Sequence, residues 1–323
     1  MAATNPMRVS DLIAKYGWQI MPYLSNLGST LLAEAQVLFV DSGATEASDA
    51  DDGVHGHSMK TPLATIDYAI GLCTADQGDV ILVSPGHTET IAAAAGIDLD
   101  VDDVTIIGCG INDKRPKISF SAEDSTFEIN ADNVTIKNLQ FVGTKTGGAT
   151  VGIDIKTGSD YVTIEGCKFY ETANTLELLT AITAEDKTDY LTIRNCDFLN
   201  LAGGDNVAAL LTEGDEHDFL VVEGCTFIGD WTNACLDLNA AAIDYPLVRN
   251  CTMVNVDATT GKAILLDAST VATMVDLRVA TGKGDGYPVS DVSASFEINC
   301  HACEAGAITY AGMGSKTATD LSA

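Results

Sequence analysis

Six segments of the chain repeat one pattern of apolar and polar positions. They are DDVTIIGCG at 102–110, DNVTIKNLQF at 132–141, DYVTIEGCKF at 160–169, DYLTIRNCDF at 189–198, DFLVVEGCTF at 218–227 and DYPLVRNCTM at 244–253. Their leading aspartates lie 26 to 30 residues apart, within the spacing of solenoid repeats. A weaker copy is ATMVDLRVA at 272–280, and GDVILVSPG at 78–86 reads as an earlier one. Within each copy, apolar and polar residues alternate with a period of two, as in a half-buried strand. In the third copy Val162 and Ile164 take one face, and Thr163 and Glu165 the other.

After each strand comes an Asn or Gly (Gly108, Asn138, Gly166, Asn195, Gly224, Asn250), residue types that tolerate a left-handed bend. A second set of strands is visible in TFEIN at 126–130, VGIDIK at 151–156, LLTAIT at 178–183, VAALLT at 207–212, CLDLN at 235–239 and AILLD at 263–267. Two or three short strands per repeat, with no helical period between them, predict an all-β parallel solenoid of about eight rungs over 78–310. Stacking places equivalent residues about 4.8 Å apart.

This stacking accounts for five of the nine cysteines. Cys109, Cys167, Cys196, Cys225 and Cys251 share one repeat position and are predicted to form an inward ladder of reduced thiols, each behaving as a small hydrophobe. The alternatives are a metal or redox ladder, and disulfides between rungs, whose geometry parallel Cβ vectors fit badly. The repeating aspartates Asp102, Asp132, Asp160, Asp189, Asp218 and Asp244 read as turn formers through side-chain-to-backbone bonds. Arg194 and Arg249 share a position with Lys137 and Glu165 and are predicted to form a solvent-facing row.

Two segments read differently. In 61–73, Leu63, Ile66, Ala69, Ile70 and Cys73 fall at helical spacing, with Pro62 suited to a first turn. A helix there would cover the open end of the solenoid. From Ser10 to Leu32 the pattern predicts one or two amphipathic helices broken near Pro22 and Gly28. This arm either folds back on the solenoid or docks elsewhere through Leu12, Ile13, Tyr16, Trp18 and Ile20, where aromatic anchors dominate binding. The expected organisation is an arm at 1–36, a first strand and capping helix at 37–77, the β-helix at 78–310 and a tail at 311–323.

The formal net charge of −29, from 46 acidic and 17 basic side chains, sets such a surface against phosphate backbones and anionic membranes. No apolar run reaches the length of a membrane span, and the first residues lack a secretion signal, so reduced thiols are expected. His55 and His57 offer two ligands for a metal, and Cys300 and Cys303 one C-x-x-C without a second pair at zinc-site spacing. Neither implies a cofactor.

TPLATIDYAIGLCTADQGDVILVSPGHTETI at 61–91, preceded by FVDSGATEASDADDG at 39–53, resembles the opening module of pectate-lyase-like β-helices, and most of all those among phage virion proteins. The resemblance covers about 37–300. It implies a right-handed parallel β-helix with no catalytic residue or cofactor assigned. The function it implies is structural: a head decoration or surface-projecting subunit made in the host cytoplasm. Its partners would be capsid proteins and sister copies, a trimer among the options. A tailspike-like glycan depolymerase and a carbohydrate-binding adhesin are the alternatives, and fold does not decide among them. A short arm, the lack of a sizeable segment after residue 310 and the lack of a carboxylate cluster with a basic partner favour decoration.

Overall fold

The computed structural model describes residues 35–310, except 202, 215–216, 240–242, 258, 260–261, 268, 283–288, 291–295, 299 and 305–306. The side chains of 289–290, 296–298 and 301–310 are also outside the description. The predicted arm, with Leu12, Ile13, Tyr16, Trp18 and Ile20, and the tail at 311–323 lie outside the described residues.

The chain coils into a parallel β-solenoid of about seven turns. Among the described residues its strands stack into three large sheets of ten, ten and eight strands and a fourth of two, His217–Asp218 with Ile243–Asp244. One turn shows how the sequence does this. Thr163–Glu165 lies in sheet 1, the chain bends at Gly166, Lys168–Tyr170 lies in sheet 2, and after a loop Leu178–Ala184 lies in sheet 3. The register is one to one: Ile164 stands between Ile136 and Ile193, and Phe169 between Phe141 and Phe198. Near-equal repeats at equal register bury an apolar side chain at the same position of successive rungs, and the interior becomes a set of columns.

Val162, Ile164, Cys167 and Phe169 are all buried, with their equivalents above and below. The phenylalanine column stacks face to face, with ring centroids 4.8 Å apart for Phe141 and Phe169, 4.7 Å for Phe169 and Phe198, and 4.8 Å for Phe198 and Phe227. Asn138, Gly166, Asn195, Gly224 and Asn250 adopt positive φ, as the bend requires. Gly108 does not. It is the last residue of its strand, and an added Cβ there would sit 2.3 Å from the carbonyl oxygen of Asn138. That position demands glycine for close approach rather than for handedness.

The helix near the start is shorter than its apolar spacing predicts. It covers only Ile66–Ile70, and Thr65 caps it by accepting a hydrogen bond from the Tyr68 N–H. Pro62 stands before the helix, not in its first turn. Asp49 accepts from the N–H groups of Ala64 and Thr65 and from the Thr65 hydroxyl, which fixes the chain in an extended form up to the cap. Ile66, Ala69 and Ile70 are buried against the first rungs. At the other end, Ala307–Tyr310 pairs antiparallel with His301–Glu304 and ends sheet 2.

The row expected to face solvent is a chain of ion pairs between rungs. Lys137 and Arg194 both bond the Glu165 carboxylate at 3.0 Å, and Arg249 bonds Glu223 at 2.9 Å. Lys137 is buried, which corrects the expectation for that residue. Its charge is compensated by Glu165, whose carboxyl is held below the ordinary range by Lys137 and Arg194 despite the cost of burial.

Candidate functional site

Each rung carries its chemistry at two places: the corner that leads into sheet 1, and the loop between sheets 2 and 3. At the corner, the repeating aspartates form a ladder. Oδ1 of Asp102 accepts from the N–H of Asp132 at 2.8 Å, Asp132 from Asp160 at 2.9 Å, Asp160 from Asp189 at 3.0 Å and Asp189 from Asp218 at 2.8 Å. The residue after each aspartate makes the left-handed turn: Asp103, Asn133, Tyr161, Tyr190, Phe219 and Tyr245 all have φ between 56° and 62°. Bulky residues rarely take this conformation. Here the four aromatics stack on one another outside the solenoid, at 4.5, 4.8 and 5.3 Å. They remain 53%, 40%, 39% and 71% exposed in chain order.

The loops between sheets 2 and 3 differ in length from rung to rung, and there the carboxylates bond unlike partners. Three of them strap the loop 200–206. Glu171 accepts from the N–H of Leu201 at 2.9 Å and from Nδ2 of Asn206; Glu177 accepts from the N–H of Asp205 at 3.2 Å; Asp230 accepts from the N–H of Gly203 at 2.8 Å. Beside them a cavity of about 20 Å³ is lined by Phe169, Glu171, Phe198 and Trp231, among others. Burial raises the Glu171 carboxyl to about 7, outweighing its hydrogen bonds to Leu201 and Asn206, and the nearby charge of Glu177 adds to the rise. Glu177 is raised too, first by burial and then by Asp205. The arrangement is a loop clamp containing a carboxyl that exchanges its proton near neutral pH.

This raised value has a measurable consequence. A carboxyl that holds its proton more tightly when folded adds stability below its unfolded value near 4.5, and that stability is lost as pH rises through about 7. The gap corresponds to roughly 3 kcal/mol, which solvent screening of a partly exposed group reduces to about 2 kcal/mol. In metal-free buffer the wild type should therefore lose about 2 kcal/mol more than Glu171→Gln between pH 5 and pH 8. Equal pH slopes in urea melts would show that Glu171 titrates normally.

The five ladder cysteines are buried free thiols. Cys196 donates to the carbonyls of Ile164 at 3.5 Å and Arg194 at 3.4 Å, and Cys225 and Cys251 have the equivalent pairs. Burial pushes Cys109 up to about 12 and raises Cys196 as well. A raised thiol is a poor nucleophile. The Cys225 thiol is instead held low by hydrogen bonds from Cys196 and Cys251. Burial out of reach of reagents is therefore what should make all five resist alkylation in the native state. Cys196→Ser should cost about 1–3 kcal/mol by burying a poorly placed hydroxyl. Rapid native alkylation, or metal or inter-rung disulfides in the mass spectrum, would overturn this.

The two histidines of the 55–57 segment are not brought to one ligand. His55 Nδ1 lies 2.8 Å from the Asp52 carboxylate, which also accepts the N–H groups of Val54 and His55. Those bonds hold Asp52 down at about 2. Cys300 is buried with its thiol 3.6 Å from the Met274 carbonyl, and the Cys303 side chain lies outside the described residues. Among the described residues no three His, Cys, Asp or Glu side chains converge as metal ligands.

Sequence reasoning missed the loop clamp and a buried histidine. His87 accepts from the Ser42 N–H at 3.0 Å and contacts Glu89 at 3.2 Å, while Glu89 accepts from the N–H of Ile66 at the helix start. This ties the first strand, the helix and sheet 2 together. The clamp has no period to betray it; its one signal is Gly203–Gly204 beside Asp205 and Asn206.

The sequence model of a family described as right-handed β-helix region matches residues 90–252. No curated protein sequence matches the chain. Among solved structures, it is similar to a pectate lyase from Bacillus sp. N165 in complex with trigalacturonate. The two are 16% identical over 78% of this chain and 81% of that one, with a TM-score of 0.50. A rhamnogalacturonan lyase is 14% identical over 77% and 75%, with a TM-score of 0.45. The ORF18 protein of Geobacillus virus E2 is 12% identical over 91% and 64%, with a TM-score of 0.37. At such identities the likeness is one of fold alone.

Proposed function

The chain belongs to the right-handed β-helix family, and from that premise we propose that it is a non-catalytic structural solenoid, a surface-projecting or decorating subunit of a virus particle. One observation supports this most. The polar positions that recur along the solenoid bond to the next rung: the corner aspartates hold backbone N–H groups, and Arg194 and Arg249 hold glutamates. Groups bound in this way stiffen a rod and are not free to act on a substrate. The opening module at 39–91 resembles those of phage virion β-helices, which supports the location. In this reading Leu12, Ile13, Tyr16, Trp18 and Ile20 anchor the chain to the particle or to a sister copy, and copies assemble as a symmetric oligomer. Low-resolution images of the native particle test it. Many copies on the exterior are expected, and absence of the protein from purified particles overturns it.

A second reading, a glycan-binding or depolymerase surface, is favoured by Glu171. Its carboxyl, raised to about 7 beside Glu177, has the value suited to general acid–base work. The pectate lyase it resembles in fold holds trigalacturonate. Under our proposal the purified protein releases no oligosaccharide from polygalacturonate or host capsular glycans, with or without calcium. Release that Glu171→Gln abolishes would establish the second reading instead.

A further inference from the structure

Asn206 is 2% exposed, and its amide is used on one side only. Nδ2 donates to Glu171 and, at 2.9 Å, to the carbonyl of Leu178, while Oδ1 has no hydrogen-bond partner. Glu177, 3% exposed, uses Oε2 for the Asp205 N–H. Its other oxygen is directed to the same place as the orphaned amide oxygen. A Cβ built on Gly204 would stand 2.6 Å from Oδ1 of Asn206 and 2.8 Å from Oε1 of Glu177. A buried amide oxygen without a partner and a carboxylate oxygen thus converge beside a glycine, and the buried one is costly to leave unmatched unless something positive or protic joins the two.

We propose that Glu177 Oε1 and Asn206 Oδ1 form a site for a hard divalent cation, calcium in the first instance, which ties two successive rungs at the loop clamp. Thr180 pairs with Ala208, so the two ligands come from the beginnings of neighbouring strands and an ion between them staples one turn to the next. The donors are oxygen only, a carboxylate and an amide, which selects calcium or magnesium over thiolate- and imidazole-seeking metals. Calcium is the better fit, because it accepts irregular oxygen sets completed by water, whereas magnesium demands a near-octahedral shell. The surroundings attract a cation: Glu171, Glu177, Asp205 and Asp230 crowd one loop, and no Lys or Arg is ion-paired to them among the described residues. Glycine at 204 leaves the approach open. The inference rests on neither reading of the function.

The test uses the full chain, stripped with EDTA and titrated calorimetrically with calcium chloride or magnesium chloride in about 0.15 M KCl to screen the acidic surface. The wild type should bind one calcium per chain, bind magnesium more weakly, and melt at a higher temperature with calcium. Gly204→Ala fills the space, and Glu177→Gln removes the charge while keeping the shape. Each should weaken calcium binding about tenfold or more. Glu46→Gln, an exposed change elsewhere, should leave it unchanged. If Gly204→Ala loses its β-type circular dichroism, Glu177→Gln alone decides. The absence of saturable calcium uptake by the wild type would mean that a water donates to both oxygens, and overturns the proposal. Equal affinity in wild type and Glu177→Gln would place the ion elsewhere on the acidic surface and overturn it equally.

Discussion

Phe198→Ala should lower the stability of the solenoid by about 3–5 kcal/mol, the cost of emptying a large aromatic site in a packed core. Phe198 is buried, with Phe169 stacked 4.7 Å away on one side and Phe227 4.8 Å away on the other. Its removal strips a ring contact from two rungs at once. In a stacked array each turn is held mainly by its neighbours, so the loss falls on both interfaces of one turn. The backbone hydrogen bonds on either side limit how far the column can collapse into the gap. Phe219→Ala is the control. That ring also stacks, between Tyr190 and Tyr245, but it is exposed, and its loss should cost about 1 kcal/mol, the value of an aromatic pair without core burial. Urea melts of the two variants decide the matter. If they lose equal stability, the inner column is not the core of the rod.

Gly143→Ala should be nearly as damaging, at about 3 kcal/mol or more, although it adds a single methyl group. Gly143 ends its strand in sheet 2, and a Cβ there would lie 2.2 Å from the carbonyl oxygen of Glu177 and 2.4 Å from its carbonyl carbon. These are backbone atoms. Relief therefore requires moving the strand start, including the hydrogen bond from the Ala149 N–H to the Glu177 carbonyl at 2.9 Å. Displacing Glu177 also pulls its carboxylate from Asp205, so the 200–206 loop should loosen. Faster amide exchange at Asp205, together with a lowered urea midpoint, is the expected signature. A variant as stable as wild type would show that the loop can shift at no cost.

The fold was legible because its signal repeats. A strand pattern that returns every 26 to 30 residues, with Cys and Phe at fixed offsets, leaves few ways to arrange the chain. The corners were half legible. The aspartates do hold the turn, as their residue type suggests, but through the N–H of the next rung, a partner that local sequence does not reveal. That Tyr161, Tyr190, Phe219 and Tyr245 take the left-handed conformation was not legible, since tyrosine and phenylalanine are poor markers of positive φ. Mutual stacking across rungs offsets part of that strain, and stacking follows from register rather than from any one residue. The helix was overestimated because the apolar spacing of 61–73 also serves an extended approach held by Asp49. The loop clamp was invisible for the opposite reason from the core. Glu171, Glu177, Asn206 and Asp230 occupy loops of unequal length, so no period relates them until the strands are stacked.

In the three large sheets the strands run across the rod and their hydrogen bonds point along it. Tension applied between the two ends therefore loads those bonds head-on, one interface after another, and the rod should peel turn by turn at modest force. A sideways push must bend three sheets joined at their corners and meets far greater resistance. Such a body behaves as a stiff bristle that gives way lengthwise by unravelling, shedding force in steps of one coil while the remaining coils keep their shape.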